Sequence, residues 1–339
     1  MRQSNRFPRA LAALAVLIMC LTGTLALPPA AAGAQDAPDG PTQVTVGVYI
    51  NDIHNLDLHA YNYTVDFYIW MRWKNPELNP FDTLEFMNAD QPWDSDMTLF
   101  YDEPLEMPDG SLYQAARYIG LFSSKFPLQT YPFDHQQLMV QFEDNTWNED
   151  YLVYVPDTEP VTINAATSLP GYRINPPSFN IGLKDYPTTF GDLTVTEPTP
   201  YSRGVVTVEV DRPGMTSIIK VILPILLVVL VAALVFLINP VYPEARVGMG
   251  ITALLTLVAL QFTTSTELPQ VDYLMMLDLL YIVSFAYVLL VMIASVATSW
   301  MATDDHVETT RALDRKVLLW SGIAYATAVV GVIFFFIRG

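Results

Sequence analysis

The chain changes its hydrophobic rhythm near residue 213. Before that point apolar and polar residues alternate. "QVTVGVYI" sets Val44, Val46, Val48 and Ile50 on one face, "YTVDFYIWMRW" sets Val65, Phe67, Ile69 and Met71, and "GVVTVEVD" sets Val206, Val208 and Val210. A period of two belongs to a strand with one buried face. "SLYQAARYIGLF" and "HQQLMVQFE" continue the pattern, with turn material such as "MPDG" and "NPPS" between the runs. This predicts an antiparallel all-β sandwich of about eight to ten strands over residues 35–213. After Pro213 the alternation gives way to uncharged runs at 221–238, 247–262, 279–301 and 317–337. Runs of that length predict a bundle of four membrane helices, at about 215–238, 244–266, 272–301 and 314–337.

The first 34 residues follow a third pattern. Three arginines and no acid precede "LAALAVLIMCLTGTLAL", and "AGA" at 32–34 offers small residues for cleavage. A signal peptide over 1–34 is expected. It would carry away Cys20, the one cysteine of the chain, leaving an exported domain held by packing alone. A cleaved signal sends the sandwich to the extracytoplasmic side, and an even helix count returns the C-terminus there. The inner loop "TDDHVETTRALDRK" carries Arg311, Arg315 and Lys316, as cytoplasmic loops prefer. The expected location is the cell's inner membrane, crossed several times.

Charge separates the two halves further. Residues 35–213 hold 27 acids and 8 bases, against 8 and 6 after residue 213. An outer domain this acidic excludes nucleic acid as a partner. His54, His59 and His135 lack metal-ligand spacing, and no phosphate-binding glycine loop is present. No enzyme and no cofactor are expected.

The second apolar run is unusual. Within "YPEARVGMGITALLTLVALQFTTSTELP", at 242–269, the residues Glu244, Gly248, Thr252, Leu255, Ala259, Phe262 or Thr263, and Thr266 step by three or four. They therefore share one helix face. Acid, small and hydroxyl side chains inside a bilayer meet water or another helix rather than lipid. Close packing of neighbouring helices is one use of such a face. The other is a pore, which a single stripe cannot enclose but copies around a symmetry axis can.

"FSSKFPLQTYPFDHQQL" resembles the signature loop of the Cys-loop receptor superfamily, the pentameric ligand-gated ion channels. Its centre reads aromatic-Pro-Phe-Asp, here Tyr131, Pro132, Phe133 and Asp134. The family's two disulfide positions fall on Ser124 and Leu138, so the chain is similar to a cysteine-less bacterial branch. The resemblance runs on through a proline in the first membrane helix, Pro224, the stripe-bearing helix and two helices after it. It implies a homopentamer in a lipid bilayer, passing monovalent cations along the second membrane helix. Five copies of Glu244 would attract cations at the inner mouth, and Thr252 would replace part of an ion's hydration shell. Leu255, Ala259 and Phe262 would close the pore by dewetting, while Gly248 keeps its inner end wide.

The resemblance also implies an agonist site between neighbouring sandwiches. Phe100, Asn145, Trp147, Tyr186, Phe190 and Tyr201 would come from one subunit, and Tyr68 with Gln114 from the next. Aromatic faces suit a small extracellular amine through cation–π attraction, although Asn145 stands where amine-gated relatives carry tryptophan. Protons are the alternative stimulus. Calcium is the expected modulator, at paired acids such as Asp102 with Glu103 and Glu143 with Asp144. Coupling to the membrane would pass through the turn around Asp57, through Asp134 and Arg212, and through the loop after Pro269. A membrane-anchored solute-binding or signalling protein without a pore is the alternative from another class. A secondary transporter would show inverted repeats or broken helices, and the sequence has neither.

Overall fold

The structure, a computed structural model, describes residues 40–191, 193, 197–302 and 307–338. The expected signal peptide lies outside them.

Twelve strands build the first half: β1 (Thr42–Asp57), β2 (Asn62–Trp73), β3 (Leu84–Phe86), β4 (Ala89–Asp90), β5 (Asp96–Leu99), β6 (Leu105–Glu106), β7 (Leu112–Ser123), β8 (His135–Asp144), β9 (Leu152–Ile163), β10 (Arg173–Ile174), β11 (Ser178–Lys184) and β12 (Tyr201–Asp211). One sheet runs β4-β7-β2-β1-β9, with β5 and β6 also on β7; the other runs β10-β12-β8-β3, with β11 on β12. The alternating residues named above turn inward: Val44, Val46, Val48, Ile50, Val65, Phe67, Ile69, Met71, Val206, Val208 and Val210 are all buried in one core between the sheets.

The sandwich differs from the expectation at one pairing. β1 and β9 run parallel. A parallel pair needs a crossover rather than a hairpin, and the chain supplies it by passing through β8 of the opposite sheet before β9. The strand count exceeds ten because two-residue strands such as β4, β6 and β10 have no hydrophobic period for a sequence pattern to register.

Polar clamps join the sheets across the core. The Tyr63 hydroxyl on β2 donates to the Met139 carbonyl at 2.6 Å and accepts from the Met139 amide at 2.7 Å on β8. Burial pushes its pKa well up, so it stays protonated and keeps both bonds.

Four helices follow: α1 (Gly214–Leu237), α2 (Pro243–Glu267), α3 (Met276–Met301) and α4 (Val307–Arg338). All four contain spans long and apolar enough to cross a membrane. α1 widens into a π-helical turn at Ile218–Ile222, immediately before Pro224. Proline brings no N–H to the ladder, and a wide turn lets the neighbouring bonds re-pair. α3 starts at Met276 rather than at 272 because the chain before it is held elsewhere, and Asp278 caps its first turn through the Met275 amide at 3.0 Å. α4 starts earlier than 314: the charged stretch from Val307 is already helical and extends the rod beyond its apolar span.

One close contact tests the packing. A Cβ on Gly204 in β12 would lie 2.2 Å from the ring of Phe142 in β8, which is fully buried and cannot yield. On neighbouring β11 a Cβ on Gly182 would meet nothing within 4 Å. Gly204→Ala is expected to cost about 1–3 kcal/mol by overpacking, while Gly182→Ala stays within about 0.5 kcal/mol. Denaturant or thermal unfolding of the purified protein compares them, and equal midpoints would mean that Phe142 does move.

Candidate functional site

The stripe on α2 is laid out as its spacing requires. Glu244, Gly248, Thr252, Leu255, Ala259, Phe262 and Thr266 are all exposed, Leu255 at 63% and Phe262 at 70%. The face that packs on the other helices is built instead from Arg246, Gly250, Ala253 and Leu257, all buried. At roughly 100° per residue the two faces lie about 175° apart around the helix. The stripe is therefore left over after the bundle has packed, and its small residues do not serve contacts within the subunit. Thr252 and Thr263 return their hydroxyls to the carbonyls of Gly248 and Ala259 at 2.8 and 3.0 Å, so their oxygens remain available as acceptors on that surface.

Glu244 sits in the first helical turn, where the helix dipole favours an acid. Its neighbour Arg246 turns the other way and pairs with Asp314 of α4 at 2.5 Å.

In the outer domain the aromatic residues separate into two groups. Tyr186 packs edge-on to Phe190 at 5.4 Å and to Tyr201 at 6.0 Å, with the Lys184 ammonium 6.0 Å above the Tyr186 ring. Beneath them the Tyr186 hydroxyl donates to Glu143 at 2.8 Å, and Arg203 donates to both Glu143 and Tyr186. Burial raises the Tyr186 pKa, and contact with Glu143 adds to the effect. Phe100 lies instead edge-on to Tyr68 at 5.8 Å, and the Arg117 guanidinium lies over the Tyr68 ring. The two were expected on opposite sides of a subunit boundary. The register of β5 against β7, ending at Leu99 opposite Ala116, carries Phe100 to the β7–β2 side of its own subunit.

Gln114, expected to face a neighbour, is buried and donates to the Tyr101 carbonyl at 2.8 Å. Trp147 meets Tyr151 in a tilted contact at 5.5 Å and rests on the sandwich core, while Asn145 before it is exposed.

The paired acids have different surroundings. Glu143 is committed to Arg203 and Tyr186. Asp144 is buried and accepts from Thr83 at 2.5 Å and from the Thr146 and Trp147 amides. Burial pushes its pKa up against those bonds. Asp102 and Glu103 are exposed in a turn. Among the described residues no group of three His, Cys, Asp or Glu side chains could hold a metal ion.

The junction between sandwich and helices is the most tightly built of the three places. The Asp134 carboxylate is fully buried and accepts from Arg212 Nε at 2.8 Å and from Gln136 at 2.6 Å. The Arg212 guanidinium donates to the Tyr172 hydroxyl at 2.6 Å and lies against the faces of Tyr172 and Tyr131, at 4.7 and 5.0 Å. Burial alone would lower the Arg212 pKa, but the hydrogen bond and charge of Asp134 outweigh it and raise the value. Tyr172 is pushed up to about 12 by burial. Tyr131 and Leu128 of the same loop pack with Leu268, Met275 and Tyr281, and the Met276 amide donates to the Gln129 carbonyl at 2.9 Å.

The loop closes without a disulfide: Ser124 Oγ donates to the Gln137 carbonyl at 3.4 Å. Asp57 is spent on its own turn, accepting from the Ala60 amide at 2.9 Å, and the adjacent Leu58 makes the contact with the membrane half. Pro269 is buried, as is Leu268. Gln136 and Tyr172 complete the junction although nothing in their sequence context singles them out. Arg203 and Asp314 were missed too, and an intramembrane arginine at 246 was the signal that a buried acid should be sought.

A sandwich, a seated signature loop and four membrane spans with one polar stripe are the arrangement of the pentameric Cys-loop ligand-gated channel superfamily, to which the chain is similar. Residues 221–320 match the family of the neurotransmitter-gated ion-channel transmembrane region. Similar proteins include the gamma-aminobutyric acid receptor subunit rho-3 of Homo sapiens, 23% identical over 287 residues, covering 78% of this chain and 60% of that protein. The glycine receptor subunit beta of Rattus norvegicus is 26% identical over 262 residues, covering 70% of this chain and 51% of its own length. The gamma-aminobutyric acid receptor subunit beta of Lymnaea stagnalis is 25% identical over 194 residues, or 57% and 37%. The chain thus spans between 37% and 60% of these three relatives. The family consists of channels, not enzymes, and assembles as pentamers in lipid membranes.

Removing one partner of the junction pair leaves the other charge in a mostly dry site. Asp134→Asn is expected to cost about 2–4 kcal/mol. A double-mutant cycle with Arg212→Gln, read by thermal unfolding, should be non-additive by at least about 1 kcal/mol; additive losses would show that the two side chains do not act together.

Proposed function

We propose that five copies of this chain form a cation-selective ion channel opened by an extracellular stimulus, with α2 lining the pore. The observation that carries this is the α2 stripe, which lies opposite the packed face and has no partner within the subunit. An anchor helix has no need of an unpartnered face running from an acid through Gly and Thr, and the reading of the chain as a membrane-anchored binding protein lacks support for that reason. Cation preference rests on Glu244, the only acid on the stripe, and not on the relatives. A ring of five carboxylates raises the local concentration of cations at the inner mouth and repels anions.

The stimulus would act at the outer domain. The Tyr186, Phe190 and Tyr201 group faces outward over a carboxylate and fits a small amine. Protons are the second stimulus, favoured by 27 acids against 8 bases in residues 35–213, repeated five times around one axis. The same field would concentrate calcium, at sites formed by acids of neighbouring subunits. Native mass measurement in mild detergent tests the homopentamer.

Glu244→Gln should move the reversal potential in a salt gradient toward zero, and an unchanged value would remove the ring from the selectivity mechanism. Leu255→Ser and Phe262→Ser should each favour the conducting state, because a hydroxyl in a narrow apolar ring retains water. Bilayer recordings of open probability decide this, and channels as hard to open as the parent would place the barrier elsewhere.

A further inference from the structure

A second ion pair lies inside the membrane half. Arg246 has a fully buried side chain, and so, within 1%, does Asp314. Charges at that depth are costly unless they do something, and they mark functional positions by default. The Arg246 guanidinium contacts α3, α4 and the segment that follows α1. Nη2 meets Asp314 Oδ2 of α4 at 2.5 Å, Nη1 donates to Thr298 Oγ1 of α3 at 3.0 Å, and Nε donates to the carbonyl of Ile238, just past α1, at 3.1 Å. That carbonyl is an end-of-helix acceptor without a helical partner of its own. The arginine stands two positions after Glu244 on the opposite side of α2. Five copies would therefore surround the inner mouth at the level where the acids do.

An unmasked ring of five cations there would oppose the ring of five acids, because a buried charge acts over long range through a low-dielectric medium. α4 otherwise contributes little to the core: of its described side chains only Thr310, Asp314 and Val329 are buried. An aspartate is thus among the very few buried residues of the outermost helix, and it meets the one arginine of the pore helix.

We propose that Asp314 is a specificity-determining residue: it masks the charge of Arg246, so that the inner mouth presents only Glu244 to permeating ions. This rests on the reading of α2 as the pore lining. Bilayer recordings of the full chain under a potassium chloride gradient test it with four variants. Asp314→Asn keeps the shape of the side chain and removes its charge. It should lower the cation-to-anion permeability ratio by roughly tenfold. Arg246→Gln, which removes the masked cation, should leave the ratio unchanged or higher, and the double variant should restore the parent value.

A purely structural pair would instead impair assembly in both single variants without separating them in selectivity. If Asp314→Asn does not assemble, the Arg246→Gln arm decides: a fall in cation preference there overturns the proposal. Glu244→Gln in the same recordings separates the two readings. A shift with Glu244→Gln and none with Asp314→Asn leaves the pore assignment standing and rejects the masking role, whereas no shift with Glu244→Gln counts against the pore ring itself.

Discussion

The salt bridge between Asp134 and Arg212 fixes how the two halves of the subunit meet. Asp134 ends the signature loop and Arg212 follows the last residue of β12, one residue before Pro213 and the start of α1. The carboxylate has no solvent exposure, so it needs the guanidinium, and Gln136 and the Tyr172 hydroxyl complete the set. The acid and the base flank adjacent strands paired through His135 and Asp211, so the pair ties the start of β8 to the entry of α1. A buried polar network of this kind is rigid while satisfied and costly when partly broken.

The two halves obey opposite solvents. The sandwich is acidic outside and apolar between its sheets, with a few hydroxyl and amide clamps such as Tyr63 and Asn88 crossing to the Met139 backbone. The helix bundle is apolar outside. Its polar groups are turned to the α2 stripe or paired inside, as Arg246 is with Asp314 and as Ser284 is with Tyr325 at 3.0 Å. The stripe stays on the exposed surface of α2, and a polar face left over in a membrane helix requires a neighbour or water. The proposed pentamer would supply both.

Some of the site could be read from single positions and some could not. Periodicity named the inward valines of β1 and β12 and the α2 face because a period is a local property of the chain. Glu244 was legible as the first acid of the stripe, and the Tyr-Pro-Phe-Asp run pointed to Asp134. The placing of Phe100 against Tyr68 was not legible, because it depends on the register of β5 on β7, which pattern alone leaves free. Gln114 illustrates the same limit: its sequence context does not say whether its amide faces a neighbour or the Tyr101 carbonyl.

By itself the sequence determined that a half-buried sheet region precedes four apolar helices, that the charge lies in the first, and that one helix carries a polar face. Each of these follows from residue type and spacing within one element. Only the tertiary structure decided the parallel pairing of β1 with β9, the commitment of Glu143 to Arg203, and the pairing of Arg246 with Asp314 across 68 positions of chain. The physical reason is the same in each case. A strand edge, a buried carboxylate and an intramembrane guanidinium all require a partner, but the requirement is not written beside them in the chain, and it is met by whatever the packing of the core brings within about 3 Å.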